Sequence, residues 1–67
     1  MPEITINYDD LGWGFKLLSA LKRQERVTLI NFDYTAHGKD CEQTANSFGM
    51  VTELDPKAKI FQFKKPD

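Results

Sequence analysis

The chain has 67 residues, 40% of them hydrophobic, and a net charge of −1 from nine Lys/Arg and ten Asp/Glu. This length allows one domain (residues 1–67) with one apolar core, and the charge does not favour a protein held to nucleic acid through phosphates. A single cysteine and a single histidine exclude an internal disulfide and a structural zinc site with the usual four ligands. No apolar run is long enough to cross a membrane, and the first residues, Met1-Pro2-Glu3, do not resemble a signal peptide. We therefore expect a cytoplasmic protein.

The first two elements are a strand and a helix. Residues 1–9 are typical of a half-buried strand or an extended arm, because apolar and polar residues alternate there. Residues 10–24 predict a helix with one apolar stripe toward the core. The stripe comprises Leu11, Phe15, Leu18 and Lys22, and is widened by Leu17 and Leu21. Gly12 and Gly14 weaken the first turn of this helix.

Residues 26–63 predict three antiparallel strands joined by short loops. The first, at 27–34, is apolar on both faces, which is typical of a central strand. Residues 35–40 predict a turn, in which Gly38 is free to take a positive φ. The second strand, at 41–54, bends at Gly49. Asp55-Pro56 predicts a tight turn before a last strand at 59–63, and residues 64–67 form a tail.

These elements predict an α+β fold built from an N-terminal helix and a small, strongly curved antiparallel sheet. A long middle strand that bends at a glycine lets a small sheet curl, so we expect a partly open barrel of the SH3 or Sm-like kind. The helix would cover one open end. The expected core includes Leu18, Leu21, Leu29, Phe48, Val51 and Ile60.

Three segments carry a resemblance to a known family. Residues 17–29 combine a Leu-rich helix, a charged turn and a Val-Thr strand. An aromatic strand end follows at Phe32-Asp33-Tyr34, with a glycine at Gly38. Residues 49–60 begin with a glycine and include Leu54-Asp55-Pro56-Lys57. In this layout the chain resembles the YolD-like family of small bacterial and phage proteins over about three quarters of its length. The resemblance implies a hairpin at Gly38 and an accessory role beside DNA replication or repair machinery. It transfers no catalytic residue.

Candidate catalytic and metal-binding groups are few. His37 and Cys41 could form an activated Cys–His pair, but they flank the predicted exposed turn without a third orienting group, so we interpret them as part of a solvated loop. Helix capping explains Asp9-Asp10. The chain has no phosphate loop, GxSxG elbow or HExxH motif. The sequence therefore predicts no enzyme, no cofactor and no metal site, although Asp9, Asp10, Asp33 and Asp40 could supply carboxylates.

Trp13 leaves two interpretations open. It either covers the rim of the core, or joins Leu17 and Ala20, with Lys16 at the edge, in a second apolar stripe for a partner or a second copy of the chain. The preferred hypothesis is a small non-catalytic protein-binding or regulatory module that could form a homodimer. The alternative is an Sm-like or OB-like domain that stacks single-stranded nucleic acid on an aromatic strand with nearby lysines. That alternative uses Lys59, Phe61, Phe63 and Lys64.

Overall fold

Two helices pack on one face of a four-stranded mixed sheet in the computed structural model, which describes residues 3–66. In chain order the elements are β1 (Glu3–Asn7), α1 (Trp13–Lys22), β2 (Arg26–Ile30), α2 (Tyr34–Ser47), β3 (Val51–Asp55) and β4 (Ile60–Lys64). The strand order is β1-β2-β4-β3. β1 runs parallel to β2, and β4 is antiparallel to both of its neighbours. The predicted α+β class is confirmed, but a strand and not a helix comes first, and the sheet is mixed and not wholly antiparallel. The first two residues of the predicted strand or arm and the last residue of the predicted tail lie outside the described residues.

The sheet buries alternate residues because side chains on a strand point to opposite faces. Leu29 pairs with Ile6 of β1 and Phe61 of β4, while Val27 pairs with Phe63, and all five side chains are buried. Their neighbours in the same strands, such as Thr28 and Gln62, point to the uncovered face. The core therefore lies in a single layer between the sheet and the helices. It comprises Ile6, Leu17, Ala20, Leu21, Val27, Leu29, Phe32, Cys41, Ala45, Met50, Phe61 and Phe63.

The predicted barrel is wrong because α2 stands where a turn and the first half of a long strand were expected. Asp33 starts this helix: its side chain accepts a hydrogen bond from the backbone N–H of Thr35 (3.1 Å), as an N-cap residue does. The buried stripe of α2 consists of small residues, Gly38, Cys41 and Ala45. With a helix in this place the strands on either side cannot form a hairpin, and the sheet stays open with β1 and β3 as its edges.

Gly49 ends α2 and does not bend a strand. Its φ of 70° is the left-handed conformation that glycine adopts most easily. The N–H of Met50 donates to the carbonyl of Ala45 (2.8 Å), and the N–H of Gly49 donates to Asn46 (3.1 Å). These two bonds define a Schellman motif, which satisfies the last carbonyls of the helix. β3 therefore begins only at Val51.

The predicted burial was partly right. Leu21 and Leu29 are fully buried, as predicted, and Phe48 and Ile60 are partly buried. Leu18 and Val51 were expected in the core and are 44% and 49% exposed. The exposure of Val51 follows from its position on the outward side of edge strand β3, whose inward residues are Thr52 and Leu54.

The helix and the first strand also differ in detail. α1 begins at Trp13 and not at residue 10, because Asp10 and Gly12 belong to a turn in which the N–H of Trp13 bonds the carbonyl of Asp10 (3.1 Å). Residues 3–7 are a true edge strand, which decides between the two predicted alternatives for this segment. The predicted turn at Asp55-Pro56 is confirmed, and the Asp55 carboxylate accepts a hydrogen bond from the N–H of Ala58 (3.2 Å).

Position 38 needs a glycine because the ring of Tyr34, one turn earlier in α2, occupies the space of a side chain there. A Cβ at position 38 would lie 2.2 to 2.5 Å from three atoms of that ring, far inside van der Waals contact. The ring is held in place from its far end, where its hydroxyl donates to the Glu42 carboxylate (3.0 Å). Gly14 in α1 differs, since a Cβ there would have no neighbour within 4 Å.

The two helical glycines therefore predict opposite effects of the same substitution. Gly14→Ala should raise the free energy of unfolding by up to about 1 kcal/mol, because alanine is the better helix former. Gly38→Ala should lower it by about 1–3 kcal/mol, because the clash with Tyr34 outweighs that gain. Urea unfolding followed by circular dichroism measures both. Equal gains for the two variants would contradict the placement of Tyr34 over Gly38.

Candidate functional site

α1 carries apolar residues on two sides, and the predicted buried stripe was partly right: Leu17 and Leu21, which widened it, are buried, but Phe15 and Leu18 are exposed. Leu17, Ala20 and Leu21 face the sheet and are at most 3% exposed. The opposite side of the helix and the turn before it present Leu11, Phe15 and Leu18, which are 102%, 78% and 44% exposed. We call these last three residues the outer apolar face.

This arrangement corrects the predicted partner-binding patch. Leu17 and Ala20 do not form an exposed stripe, because they are 3% and 0% exposed. Trp13 is half-buried and packs against the core, as in the first of its two predicted interpretations, and it also lines a groove between α1 and α2. Lys16 is exposed and forms an ion pair with Asp10 (2.5 Å). This ion pair and a hydrogen bond from the N–H of Gly12 lower the pKa of the Asp10 carboxyl, the bond from Lys16 being the larger cause.

One signal in the sequence did point to the observed stripe. The stripe that was expected in the core ends in Lys22, and a lysine at its end is typical of a helix side that faces water. The observed buried stripe contains Ala20, whose small side chain lets a helix approach a sheet closely. The strong β-strand preference of Val27 and Leu29 gives no information about which side of α1 they meet.

An aromatic cluster fixes the start of α1 against α2. The ring of Tyr8 lies 4.8 Å from that of Trp13 and 5.1 Å from that of Phe32, and the ring of Trp13 lies 5.3 Å from that of His37. The Tyr8 hydroxyl hydrogen-bonds Nδ1 of His37. Burial, followed by the nearby charges of Asp33, Cys41 and Asp9, raises the pKa of Tyr8. These ring contacts join the start of α1 to the first turns of α2.

An apolar groove of about 170 Å³ runs between α1 and α2 beside this cluster. Its position next to Leu18 makes it continuous with the outer apolar face. A cavity of about 150 Å³ with apolar walls is large enough to hold a benzene ring. The groove therefore has room for one aromatic or branched side chain of a partner. It is lined by Trp13, Gly14, Leu17, Leu18, His37, Asp40, Cys41 and Thr44.

A larger depression of about 390 Å³ lies at the carboxyl end of β2. Its most strongly polar wall residue is Asp33, whose carboxylate is already used as the cap of α2. Lys59 lies across from it in the turn between β3 and β4, in a left-handed conformation with φ of 55°. The N–H of Phe32 donates to the carbonyl of Lys59 (2.9 Å), so the backbone carbonyl on this side is also used within the fold.

His37 and Cys41 lie one turn apart on α2 and not in a solvated loop, which corrects the prediction for this pair. Cys41 is 4% exposed, and burial, with smaller effects from the carboxylates of Asp40 and Glu42, raises the pKa of its thiol to about 11. A thiolate is the reactive form of cysteine, so this environment suppresses its nucleophilicity. Nδ1 of His37 is bonded to Tyr8 and is not directed to the sulfur.

The four aspartates of the sequence analysis do not converge. Within residues 3–66 there is no group of three or more His, Cys, Asp or Glu side chains that could hold a metal ion. Asp10 and Asp33 each bond a backbone N–H near a helix start, from Gly12 (3.3 Å) and Thr35 (3.1 Å). Asp33 is the N-cap of α2, whereas the backbone bond of Asp10 lies within the turn before α1, whose N-cap is Gly12 without a side-chain hydrogen bond. The predicted capping of α1 by Asp9-Asp10 is therefore wrong.

The predicted nucleic-acid surface on the last strand is wrong. Phe61 and Phe63 point into the core and are at most 1% exposed, so no base can stack on them. Lys64 belongs to β4 and pairs with Glu53 (2.9 Å), and Lys59 lies in the turn. The reason is that alternation placed the aromatic residues of β4 on its inward side, where the core of a small domain needs them.

Comparison of the chain with protein-family models, curated proteins and solved structures finds no match. Residues 17–29 comprise the end of α1, a charged turn and most of β2. The structure places Gly38 inside α2, where the YolD-like layout implied a hairpin. The resemblance and the cytoplasmic location stay predictions. In the described part of the chain, no helix has the length and apolar character to cross a membrane.

The buried thiol predicts a fall of stability in alkali. The thiol ionises near its ordinary pKa of 9.0 in the unfolded chain and at about 11 in the fold, so between these values the unfolded state loses its proton first. The contribution of the buried thiol to the free energy of unfolding is therefore fully present below pH 9.0 and is lost as the pH rises toward about 11. We expect a loss of about 1–2 kcal/mol in the free energy of unfolding over this range.

Cys41→Ala is the control for this prediction. The pKa values of Tyr8 and Tyr34 are also raised, and their contribution to the alkaline decline persists in the variant. Urea unfolding at a series of pH values should therefore give a shallower decline for Cys41→Ala than for the unchanged chain. Identical slopes would contradict the burial of the thiol.

Proposed function

We propose that this chain is a non-catalytic module that binds another protein through the outer apolar face of α1. The observation that carries the proposal is the exposure of Phe15 (78%) between Leu11 (102%) and Leu18 (44%). Contiguous exposed apolar side chains on a small folded domain mark interaction surfaces, because their exposure to water does not stabilise a monomer. In this chain the core is complete without them.

The adjoining groove supports the same role. Protein interfaces concentrate their binding energy in a few aromatic or branched side chains that fill pockets. Here Phe15 offers such a side chain, and the groove beside Leu18 offers such a pocket. Burial of one Phe and two Leu side chains contributes roughly 1.5–3 kcal/mol each, against an association cost of at least about 4 kcal/mol. The proposed interaction is thus of moderate strength and reversible.

Two features support the non-catalytic part of the proposal. The Cys41 thiol is buried and its pKa is raised, while Nδ1 of His37 is bonded to Tyr8. Every buried polar side-chain atom in the described part of the chain has a hydrogen-bond partner. A buried polar group without a partner would call for an explanation such as a catalytic role, and the described residues present none.

Phe15→Gln tests the proposal directly. Glutamine is a good helix former, so α1 should persist and the melting temperature should change little. Binding to a partner captured from the source organism should fall by at least about tenfold, because a central aromatic contact is lost. Val51→Thr is the matched control, since it removes another half-exposed apolar side chain from a surface away from α1. Equal loss of binding in both variants, or in neither, would contradict the proposed surface.

A further inference from the structure

We infer that the partner of the outer apolar face is a second copy of this chain, bound through antiparallel packing of α1 against α1. The inference rests on the proposed function, because it uses the same surface and names what covers it. It depends on three observations: the order of apolar residues along the helix, the charges at its two ends, and a glycine that the single chain does not explain.

The outer apolar face is arranged so that it can pair with itself. Phe15, Leu18 and Lys22 follow one another along one side of α1 at spacings of three and four, and Leu11 lies in the turn that precedes the helix. In an antiparallel pair with its two-fold axis at the level between Phe15 and Leu18, each Phe15 lies level with Leu18 of the second copy. Leu11 then lies level with the methylene stem of Lys22. Such an isologous contact uses one patch twice and closes at two copies.

The two ends of α1 carry opposite charges, which favours antiparallel packing of two copies of the helix. Asp9 and Asp10 precede the helix, whereas Lys22 and Arg23 end it. Asp10 and Arg23 each form an ion pair in their own chain, with Lys16 (2.5 Å) and Glu25 (2.8 Å). The antiparallel arrangement sets each of these pairs level with the other pair in the second copy, and it also opposes the two helix dipoles favourably. A parallel arrangement would place like charges together at each end, which disfavours it.

Gly14 supplies the third observation. It lies inside α1, where glycine is unfavourable, and a side chain there would meet no atom of its own chain within 4 Å. Nothing within the single chain therefore requires glycine, in contrast to Gly38. Gly14 borders both Leu18 and the groove between the helices. The missing side chain leaves room for an apolar side chain of the second copy to approach the helix backbone.

The dimer is expected to be weak. α1 has ten residues and is about 15 Å long, so the shared surface stays in the small class of interfaces, below about 1,200 Å² in total. Association should therefore appear as a rise in mean mass with concentration, over about 10 µM to 1 mM. Sedimentation velocity of the full chain at low salt measures it.

Three substitutions define the surface. Phe15→Gln and Gly14→Gln should each weaken self-association by at least about tenfold, the first by removing the central contact and the second by filling the space beside it. Gly14→Gln should at the same time raise the melting temperature, because glutamine is the better helix former. Val51→Thr should associate like the unchanged chain. Unaltered association of both α1 variants would overturn the inference.

A charge exchange tests the direction of the pair. Asp10→Lys and Arg23→Glu should each reduce self-association, because each places like charges at both ends of the antiparallel contact. An equimolar mixture of the two variants should associate again, since every position 10 then meets an opposite charge at position 23. Circular dichroism of each variant checks that the fold persists, because Asp10 and Arg23 also form exposed ion pairs with Lys16 and Glu25 of their own chain, and exposed pairs contribute little to stability.

The outcomes separate this inference from the proposed function. A mixture that stays as dissociated as its components would overturn the antiparallel arrangement. A chain that sediments as a monomer throughout the concentration range would overturn self-association. If in that case Phe15→Gln still abolished binding to a different protein, the proposed function would stand without the inference. If Phe15→Gln altered neither association nor capture, both would fail.

Discussion

The packing of one side of α1 against the sheet is the interaction on which the rest of this structure depends. Ala20 and Leu21 are fully buried and Leu17 nearly so, within the same core as Val27 and Leu29 of β2. Because α1 connects β1 to β2 in parallel, it must cross the sheet on one face, and its inward stripe closes the core there. That choice leaves Leu11, Phe15 and Leu18 outside. The proposed binding surface is thus a consequence of how the core is filled.

The second helix completes the layer with unusually small residues. Gly38, Cys41 and Ala45 form its buried side, so α2 can lie close to the sheet while Tyr34 and Phe48 pack at its two ends. The aromatic cluster of Tyr8, Trp13 and His37 joins α2 to the start of α1. Two residues of this cluster, Trp13 and His37, also line the groove between the helices. Core packing and the candidate site therefore follow from a few contacts.

Sequence reasoning identified the elements whose pattern is strong and missed those whose pattern is weak. Strand β2, helix α1 and the turn at Asp55-Pro56 carry clear periodicity or turn chemistry, and all three are present. α2 was missed because its buried residues are small and weakly hydrophobic, and because Gly38 and Gly49 were interpreted as breakers within a sheet. Gly49 does end an element, but it is a helix. Without α2 the remaining strands could only be joined as an antiparallel, curled sheet.

The candidate site was the least predictable part, since α1 has apolar residues on two sides and periodicity alone does not say which side meets the sheet. The comparison of Leu17→Ala with Leu18→Ala decides this most directly. At micromolar concentration, where the chain is dissociated, urea unfolding should show a loss of about 2–5 kcal/mol for Leu17→Ala, because a fully packed side chain is removed. Leu18→Ala, at a position 44% exposed, should lose less than about 1 kcal/mol. The reverse order would show that the outer apolar face is the core and would contradict the account.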